Sequence, residues 1–328
     1  MAAPKVLVTR RLPSSALDKL GLACNVDLHQ SRDDLTHDEL RDRVRDKVGM
    51  VCTATDTVDA SVLVAGSHLQ VVATVAVGFD NIDVVAATAR GIVVTNTPDV
   101  LTAAVAEYTC GLILSVTRRI AEGDRLIRAN AWNGWSLDFM LGTQLHGKQL
   151  GIVGAGRIGT AVATLAEGFG MTVVFSERVG GGRTPSAPLF ASRPPRVSFD
   201  EMLVSSDVIS LHVPLTDATR HLIDRRTLAR MKRSAFLINM SRGAVVSETA
   251  LAWALQERLI AGAALDVYED EPNVHSDLRG LDNVVLSPHI GSATRETRVA
   301  MAGLAVDNVV AVLGGRPALT PVGPPAVH

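Results

Sequence analysis

Leu150-Gly151-Ile152-Val153-Gly154-Ala155-Gly156-Arg157-Ile158-Gly159 decides how this chain is read. An apolar run, Leu150–Val153, ends in a G-x-G-x-x-G turn, and the residues from Ile158 to Phe169 then carry helical spacing. The next apolar run, Met171–Phe175, is followed by an acid, Glu177, roughly twenty residues beyond the turn. A G-x-G-x-x-G by itself is a weak signal, because glycine is common in turns. The strand before it, the helix after it and the acid at that distance make it specific. Gly154 allows a tight turn, Gly156 lets the backbone approach a pyrophosphate, and Gly159 lets the helix pack closely on the strand. The helix start at Arg157 and Ile158 offers free N–H groups and a positive dipole end to phosphates. The stretch is therefore expected to bind a dinucleotide. Glu177 can accept hydrogen bonds from a ribose 2'-hydroxyl and repels a 2'-phosphate, which favours NAD. Arg178 beside it can hold the extra phosphate of NADP, which stays as the alternative.

Outward from this turn the same unit recurs, a short Val- and Ile-rich run followed by a longer segment of helical spacing. The runs are Val6–Val8, Val48–Thr53, Val71–Val75, Ile92–Thr95, Leu150–Val153, Val173–Phe175, Val208–Leu211, Phe236–Ile238, Ala263–Leu265 and Val284–Leu286. Runs apolar on both faces are what parallel strands covered by helices look like, so an open α/β sheet is expected. Two long helical segments, about 102–129 and 295–313, lack a strand before the next motif and are read as carrying the chain between two domains. Gly180-Gly181-Gly182 with Pro185, Pro188, Pro194 and Pro195 marks a long polar loop. The proline-bearing tail after Gly314 is expected to be extended or frayed.

The chain has 328 residues, 47% of them hydrophobic, and a net charge of -2. That length points to two domains, and the charge gives no reason to expect a nucleic-acid or membrane partner. Aromatic residues make up only 4%, too few to stack nucleobases along a groove. Met1-Ala2-Ala3-Pro4-Lys5 leads straight into Val6-Leu7-Val8 without the long apolar core of a signal peptide, and no stretch reaches a membrane-spanning length. Cys24, Cys52 and Cys110 are far apart and form no CxxC pair. They are read as reduced thiols in apolar surroundings, with neither a disulfide framework nor a metal site, and a cytoplasmic protein is expected.

Candidate catalytic residues stand beyond successive strands. Arg242 follows Phe236–Ile238, the acids Glu269, Asp270 and Glu271 follow Ala263–Leu265, and His289 follows Val284–Leu286. In a doubly wound sheet those strand ends border the nucleotide crevice. Reduction of a keto acid needs a cation for the carboxylate and carbonyl, an acid to protonate the developing alkoxide, and a group that tunes that acid. Arginine, histidine and a carboxylate suit these roles in turn, since an ionised carboxylate stabilises an imidazolium. Each residue alone is ordinary surface or loop chemistry; their joint placement after a dinucleotide turn carries the signal. Spacing does not choose among Glu269, Asp270 and Glu271.

From Val71 to about Val312 the sequence closely resembles the D-isomer-specific 2-hydroxyacid dehydrogenases. The matching stretches are VAVGFDNIDV (75–84), NTPDVLTAAVAEYT (96–109), GKQLGIVGAGRIG (147–159), SSDVISLHVPLTDATRHLI (205–223), INMSRGAVV (238–246), AALDVYEDEP (263–272) and PHIGSAT (288–294). The resemblance implies two Rossmann-like doubly wound parallel-sheet domains, with the nucleotide-binding domain inserted into a flavodoxin-like substrate domain. Residues 1–100 and 290–328 would form the substrate domain, and 101–289 the NAD(P)-binding domain. It implies Arg242 as the substrate-binding arginine, His289 as the general acid in reduction and Glu271 as its carboxylate partner. Val77 and Gly78 would cup the substrate carboxylate. Asp266 would hold the nicotinamide carboxamide, Thr102 would touch the cofactor, and Val213-Pro214 would flank the adenosine. A homodimer is implied as well.

Ala131-Trp132-Asn133-Gly134-Trp135 is similar to a WxxW loop of the glyoxylate/hydroxypyruvate reductases in that family. There the second tryptophan reaches the neighbouring subunit's substrate site, so Trp135 is expected to favour a small substrate, with simple packing at a dimer interface as the alternative. The expected activity is NAD(P)H-dependent reduction of hydroxypyruvate or glyoxylate. Phosphite oxidation in this family uses a lysine where this chain has Val77, and no dense basic cluster marks a phosphoglycerate pocket. A corepressor that only senses NAD(H) is the remaining reading of another class.

Overall fold

In a computed structural model, which describes residues 3–31, 33–177 and 194–323, every one of the apolar runs becomes a parallel strand. The chain divides into two compact units, Met1–Leu101 with Ala293–His328, and Thr102–Ser292.

The first unit holds β1 (Lys5–Val8), β2 (Asn25–Leu28), β3 (Gly49–Cys52), β4 (Val71–Thr74) and β5 (Val93–Thr95), in sheet order β2-β1-β3-β4-β5. This is the 2-1-3-4-5 order of flavodoxin-like sheets. Alternate side chains along each strand leave for opposite faces, and along the interior strands both faces are dry. Leu7, Met50 and Val72 enter one core, while Val6, Val8, Val51, Val71 and Ala73 enter the other. The helix Arg295–Leu313 covers the second face through Ala302, Ala305, Val306 and Val309. The tail beyond it, expected to be extended or frayed, is fastened to this unit. Buried Asn308 accepts from the amides of Leu319 (2.9 Å) and Thr320 (3.0 Å), and the Val322 amide donates to Val94 O on the β5 edge at 2.8 Å.

The second unit holds β6 (Gln149–Val153), β7 (Thr172–Ser176), β8 (Arg196–Val197), β9 (Val208–Leu211), β10 (Phe236–Asn239), β11 (Gly262–Leu265) and β12 (Val284–Leu286). All pairings are parallel, in the order β12-β11-β10-β9-β6-β7-β8. Counted from β6 as the first strand this is 3-2-1-4-5-6 with a seventh strand added at one edge, the doubly wound dinucleotide-binding order. The order reverses between β6 and β9, which places the crevice at their carboxyl ends. The segment read as one helix over 102–129 is two, Thr102–Thr117 and Ile120–Arg128, parted where Arg119 takes a left-handed φ of 55°. Most of the Gly- and Pro-rich loop, including Arg178, lies outside the described residues. Among the described residues no helix is long and apolar enough to cross a membrane, and the three cysteines are buried free thiols.

Candidate active site

The turn after β6 is built as a phosphate cradle has to be. Gly154 has φ 106°, and a Cβ there would lie 2.3 Å from the carbonyl oxygen of His212, so only glycine fits. His212 follows β9, so this contact joins the two strands at which the sheet order reverses. Val213 borders the same position, and Pro214 is exposed while its carbonyl accepts from Thr219 Oγ1 at 2.7 Å. A Cβ on Gly159 would meet the Gly154 carbonyl at 2.1 Å, which shows how closely the helix start sits on the turn. Gly156 differs, because a Cβ there would meet no atom within 4 Å. The protein's own packing does not demand glycine at that position; bare backbone there suits the approach of a ligand. Gly156 is also the N-cap of the helix Arg157–Gly168, and no side chain caps that helix end. β6 and β7 are neighbours, with Ile152 opposite Phe175, and Glu177 is exposed just past β7 with its amide bonded to Val197 O at 2.7 Å. An uncapped helix end, bare backbone and an acid one strand away fit a dinucleotide with an unmodified ribose. Thr102, the first residue of the helix Thr102–Thr117, is half-buried.

The carboxyl ends of β10, β11 and β12, neighbours in the sheet, each carry one expected catalytic side chain. After β10, buried Asn239 clips the turn that presents Arg242. Its Oδ1 accepts from the Ser241 amide (3.1 Å) and hydroxyl (2.8 Å), and its Nδ2 donates to Arg242 O at 3.0 Å. Arg242 is half-buried and its Nη1 donates to Ser241 O at 3.0 Å. After β12 the loop is fastened by Asp266, which is 1% exposed at the end of β11. Asp266 Oδ1 accepts from Ser287 Oγ (2.6 Å) and the Ile290 amide (2.9 Å), and Oδ2 from the Gly291 amide at 2.7 Å. Between those anchors His289 takes a left-handed φ of 53°, unusual for a non-glycine residue and held by its surroundings.

Of the three acids that spacing left open, Glu271 is the one that meets His289. Glu271 Oε2 lies 2.8 Å from His289 Nδ1, and its Oε1 accepts from the Tyr268 amide at 3.0 Å. Glu269 turns away to the Glu248 amide and His221, and Asp270 pairs with Asn273. Burial pushes the Glu271 carboxyl up, but the His289 hydrogen bond and charge, the Tyr268 amide and the Arg242 charge outweigh it. Together they hold it below its ordinary value of 4.5. The ionised carboxylate accepts the Nδ1–H of His289 and fixes the ring, leaving Nε2 for proton exchange. The His289 side chain is 41% exposed, open enough to meet a ligand.

Two other expectations lie elsewhere. Val77 and Gly78 follow β4 in the first unit, where Val77 O accepts from Asn96 Nδ2 at 2.8 Å. Trp135 is 78% exposed in an irregular stretch that also exposes Trp132, Leu137, Phe139 and Leu141. The bracing residues Asn239, Ser241, Tyr268, Glu248 and the loop-holding side of Asp266 were not legible in the sequence. The only local signal was a buried-type polar residue closing an apolar strand, as at Asn239 and Asp266.

Comparison with known proteins agrees with this construction. Residues 110–291 match the model for the D-isomer specific 2-hydroxyacid dehydrogenase, NAD binding domain. A glyoxylate reductase of Thermofilum pendens is 47% identical over 318 residues, covering 96% of this chain and 93% of that protein. A crystal structure of a Thermus thermophilus protein superposes with TM-score 0.89 at 45% identity, covering 97% of this chain and 99% of the other. The NADPH-dependent glyoxylate/hydroxypyruvate reductase of Sinorhizobium meliloti, solved with NADP and malonate, has TM-score 0.84 at 35% identity, covering 98% and 97%. With a dinucleotide turn of this geometry, and relatives this similar across nearly their whole length, the chain belongs to the D-isomer specific 2-hydroxyacid dehydrogenase family.

Proposed function

We propose that the protein reduces a small 2-keto acid, glyoxylate or hydroxypyruvate, to the 2-hydroxy acid with NADH or NADPH, the product having D configuration where C2 is a stereocentre. The observation that carries this reading is the 2.8 Å Glu271–His289 pair at the strand ends that also present Arg242, within the unit that holds the dinucleotide turn. The curated relatives named glyoxylate reductase support the substrate class.

A nicotinamide held by this unit would supply the hydride that reaches C2. Arg242 binds the substrate carboxylate and polarises the carbonyl, because a guanidinium presents a fork of donors that suits both oxygens. As the C2–O double bond becomes single, negative charge develops on that oxygen. His289 delivers its Nε2 proton there, and Glu271 holds the resulting imidazole in place through Nδ1. Atoms balance: one hydride at carbon and one proton at oxygen. Gly154, Gly156, Arg157, Ile158 and Gly159 would hold the diphosphate, with Val213 and Pro214 beside the adenosine and Thr102 also in contact. Glu177 would bind the ribose and favour NAD, with Arg178 as the competing cation for NADP. The carboxamide contact proposed for Asp266 would use the acceptor capacity left after its three loop bonds. Val77 and Gly78 are proposed as carboxylate ligands on the family resemblance alone.

We also propose a cytoplasmic homodimer. The exposed apolar stretch from Trp132 to Leu141 is the surface a second copy would cover, with Trp135 shaping the substrate site. The test is loss of nicotinamide absorbance with glyoxylate, hydroxypyruvate, pyruvate and phosphohydroxypyruvate, using NADH and NADPH separately, with phosphite in the oxidative direction. Fast turnover of glyoxylate or hydroxypyruvate is expected. Failure of every keto acid while NADH still binds would move the reading to phosphite oxidation or NAD(H) sensing.

A further inference from the structure

Glu248 takes no part in the chemistry just described, yet it is a carboxylate only 5% exposed on the first turn of the helix Glu248–Gln256. An acid there ordinarily faces water, where it complements the helix dipole. This one is turned onto the segment that carries Glu271. Its Oε1 accepts from the Glu269 amide at 2.6 Å and its Oε2 from the His275 amide at 3.1 Å. Those amides stand at the two ends of residues 269–275, with Glu271 between them. The contact is reciprocal at one end, because Glu269 Oε1 accepts from the Glu248 amide at 2.6 Å. Glu269 Oε2 in turn lies 2.8 Å from His221 Nε2, and the His221 amide is tied to Ala244 O at 2.8 Å. Gly243 closes the arrangement from the Arg242 side, since a Cβ there would lie 1.8 Å from the Tyr268 carbonyl carbon and 2.3 Å from the Glu269 nitrogen.

We infer that Glu248 is a positioning residue for the reaction: its carboxylate fixes both ends of the 269–275 segment and so holds Glu271 within bonding distance of His289. The histidine half of the pair is held separately, by Asp266 through the 287–291 loop. A carboxylate this deeply buried is costly to leave unpaired, so it keeps both amides as partners. Neighbouring groups that bear on a titration at this site are Arg242, Asp266 and Tyr268 around Glu271 and His289. Around Glu248 they are Glu269, His221, His275 and the Tyr268 phenol.

The inference rests on the reading of His289 as the proton donor and Glu271 as its partner. Its test is the pH profile of kcat/KM for hydroxypyruvate reduction in Glu248→Gln and Glu248→Asp, with His289→Ala in parallel and the NADH Kd measured by fluorescence. E248Q keeps the shape but points an NH2 group at one of the two amides. E248D keeps the charge but falls one methylene short. Both are expected to lose about ten-fold or more in kcat/KM and to move the alkaline limb to lower pH, with the NADH Kd unchanged. A limb that stays put in both, whatever the rate, means Glu248 is merely structural and overturns the inference. A limb that moves in E248Q and not in E248D marks a bare charge effect and overturns it too. If E248Q does not fold, the E248D limb alone decides. An active His289→Ala protein would instead remove the underlying reading, whereas an inactive one beside wild-type-like Glu248 variants removes only this inference.

Discussion

Asp266→Asn replaces one carboxylate oxygen by NH2 at the centre of the loop that presents His289. Three donors now converge on that carboxylate, Ser287 Oγ and the Ile290 amide on Oδ1 and the Gly291 amide on Oδ2. An asparagine can serve two of them. With its oxygen in the Oδ1 position, the NH2 group faces the Gly291 amide. In the flipped orientation Ser287 Oγ can accept from the NH2, but the Ile290 amide loses its acceptor. Either way one N–H is stranded against a side chain that is 1% exposed. A stranded buried amide costs about 1–3 kcal/mol. For a unit of this size each kcal/mol lowers the melting temperature by roughly 2–4 °C. The expected loss is therefore about 2–12 °C, measured calorimetrically without cofactor so that any nicotinamide contact contributes nothing. Hydrogen exchange should show the amides of Ile290 and Gly291 losing protection first. A melting temperature within about 1 °C of wild type, with those amides still protected, would refute the assignment of Asp266 as the anchor of this loop.

Three further outcomes follow from the same geometry. Because the Glu271 carboxyl is held below its ordinary value of 4.5, its ionisation stabilises the fold fully above that pH, and the contribution is lost as pH falls through the lower folded value. Wild type should therefore be more stable than Glu271→Gln at neutral pH and converge with it in acid, as denaturant midpoints across pH will show. Glu177→Ala should narrow or reverse a preference for NADH over NADPH, read as the ratio of their kcat/KM values; an unchanged ratio means the acid does not meet the ribose. Gly154→Ala, with a Cβ 2.3 Å from a backbone oxygen at φ 106°, should weaken NADH binding by about ten-fold or more and lower the melting temperature.

What the sequence made legible was whatever repeats locally. Val6–Val8, Leu150–Val153 and Val208–Leu211 announce themselves because both faces of an interior parallel strand are dry. The two strands missed, Asn25–Leu28 and Arg196–Val197, lie at sheet edges, where polar residues are tolerated and the apolar run breaks up. The break at Arg119 was hidden because residues on both sides continue a helical pattern and only a left-handed φ separates them. At the site, the glycine turn and the identities Arg242 and His289 could be read, being short motifs beside strands. The choice of Glu271 by spacing, and the braces by Asp266, Glu248 and Asn239, could not. Asp266 meets donors 21 to 25 residues away and Glu248 meets amides 21 and 27 residues away, distances over which no periodicity carries information. The family resemblance named Glu271; the 2.8 Å contact with His289 gives the physical reason.

The most direct test of the proposed chemistry compares wild type with His289→Ala under saturating NADH, measuring kcat/KM for glyoxylate and hydroxypyruvate together with the NADH Kd of both proteins. The expected result is rapid turnover by wild type, a loss of about 100-fold or more in the variant, and equal cofactor affinity. A His289→Ala protein that still reduces either acid at close to the wild-type rate would contradict the assignment of His289 as the proton donor, and with it the proposed mechanism.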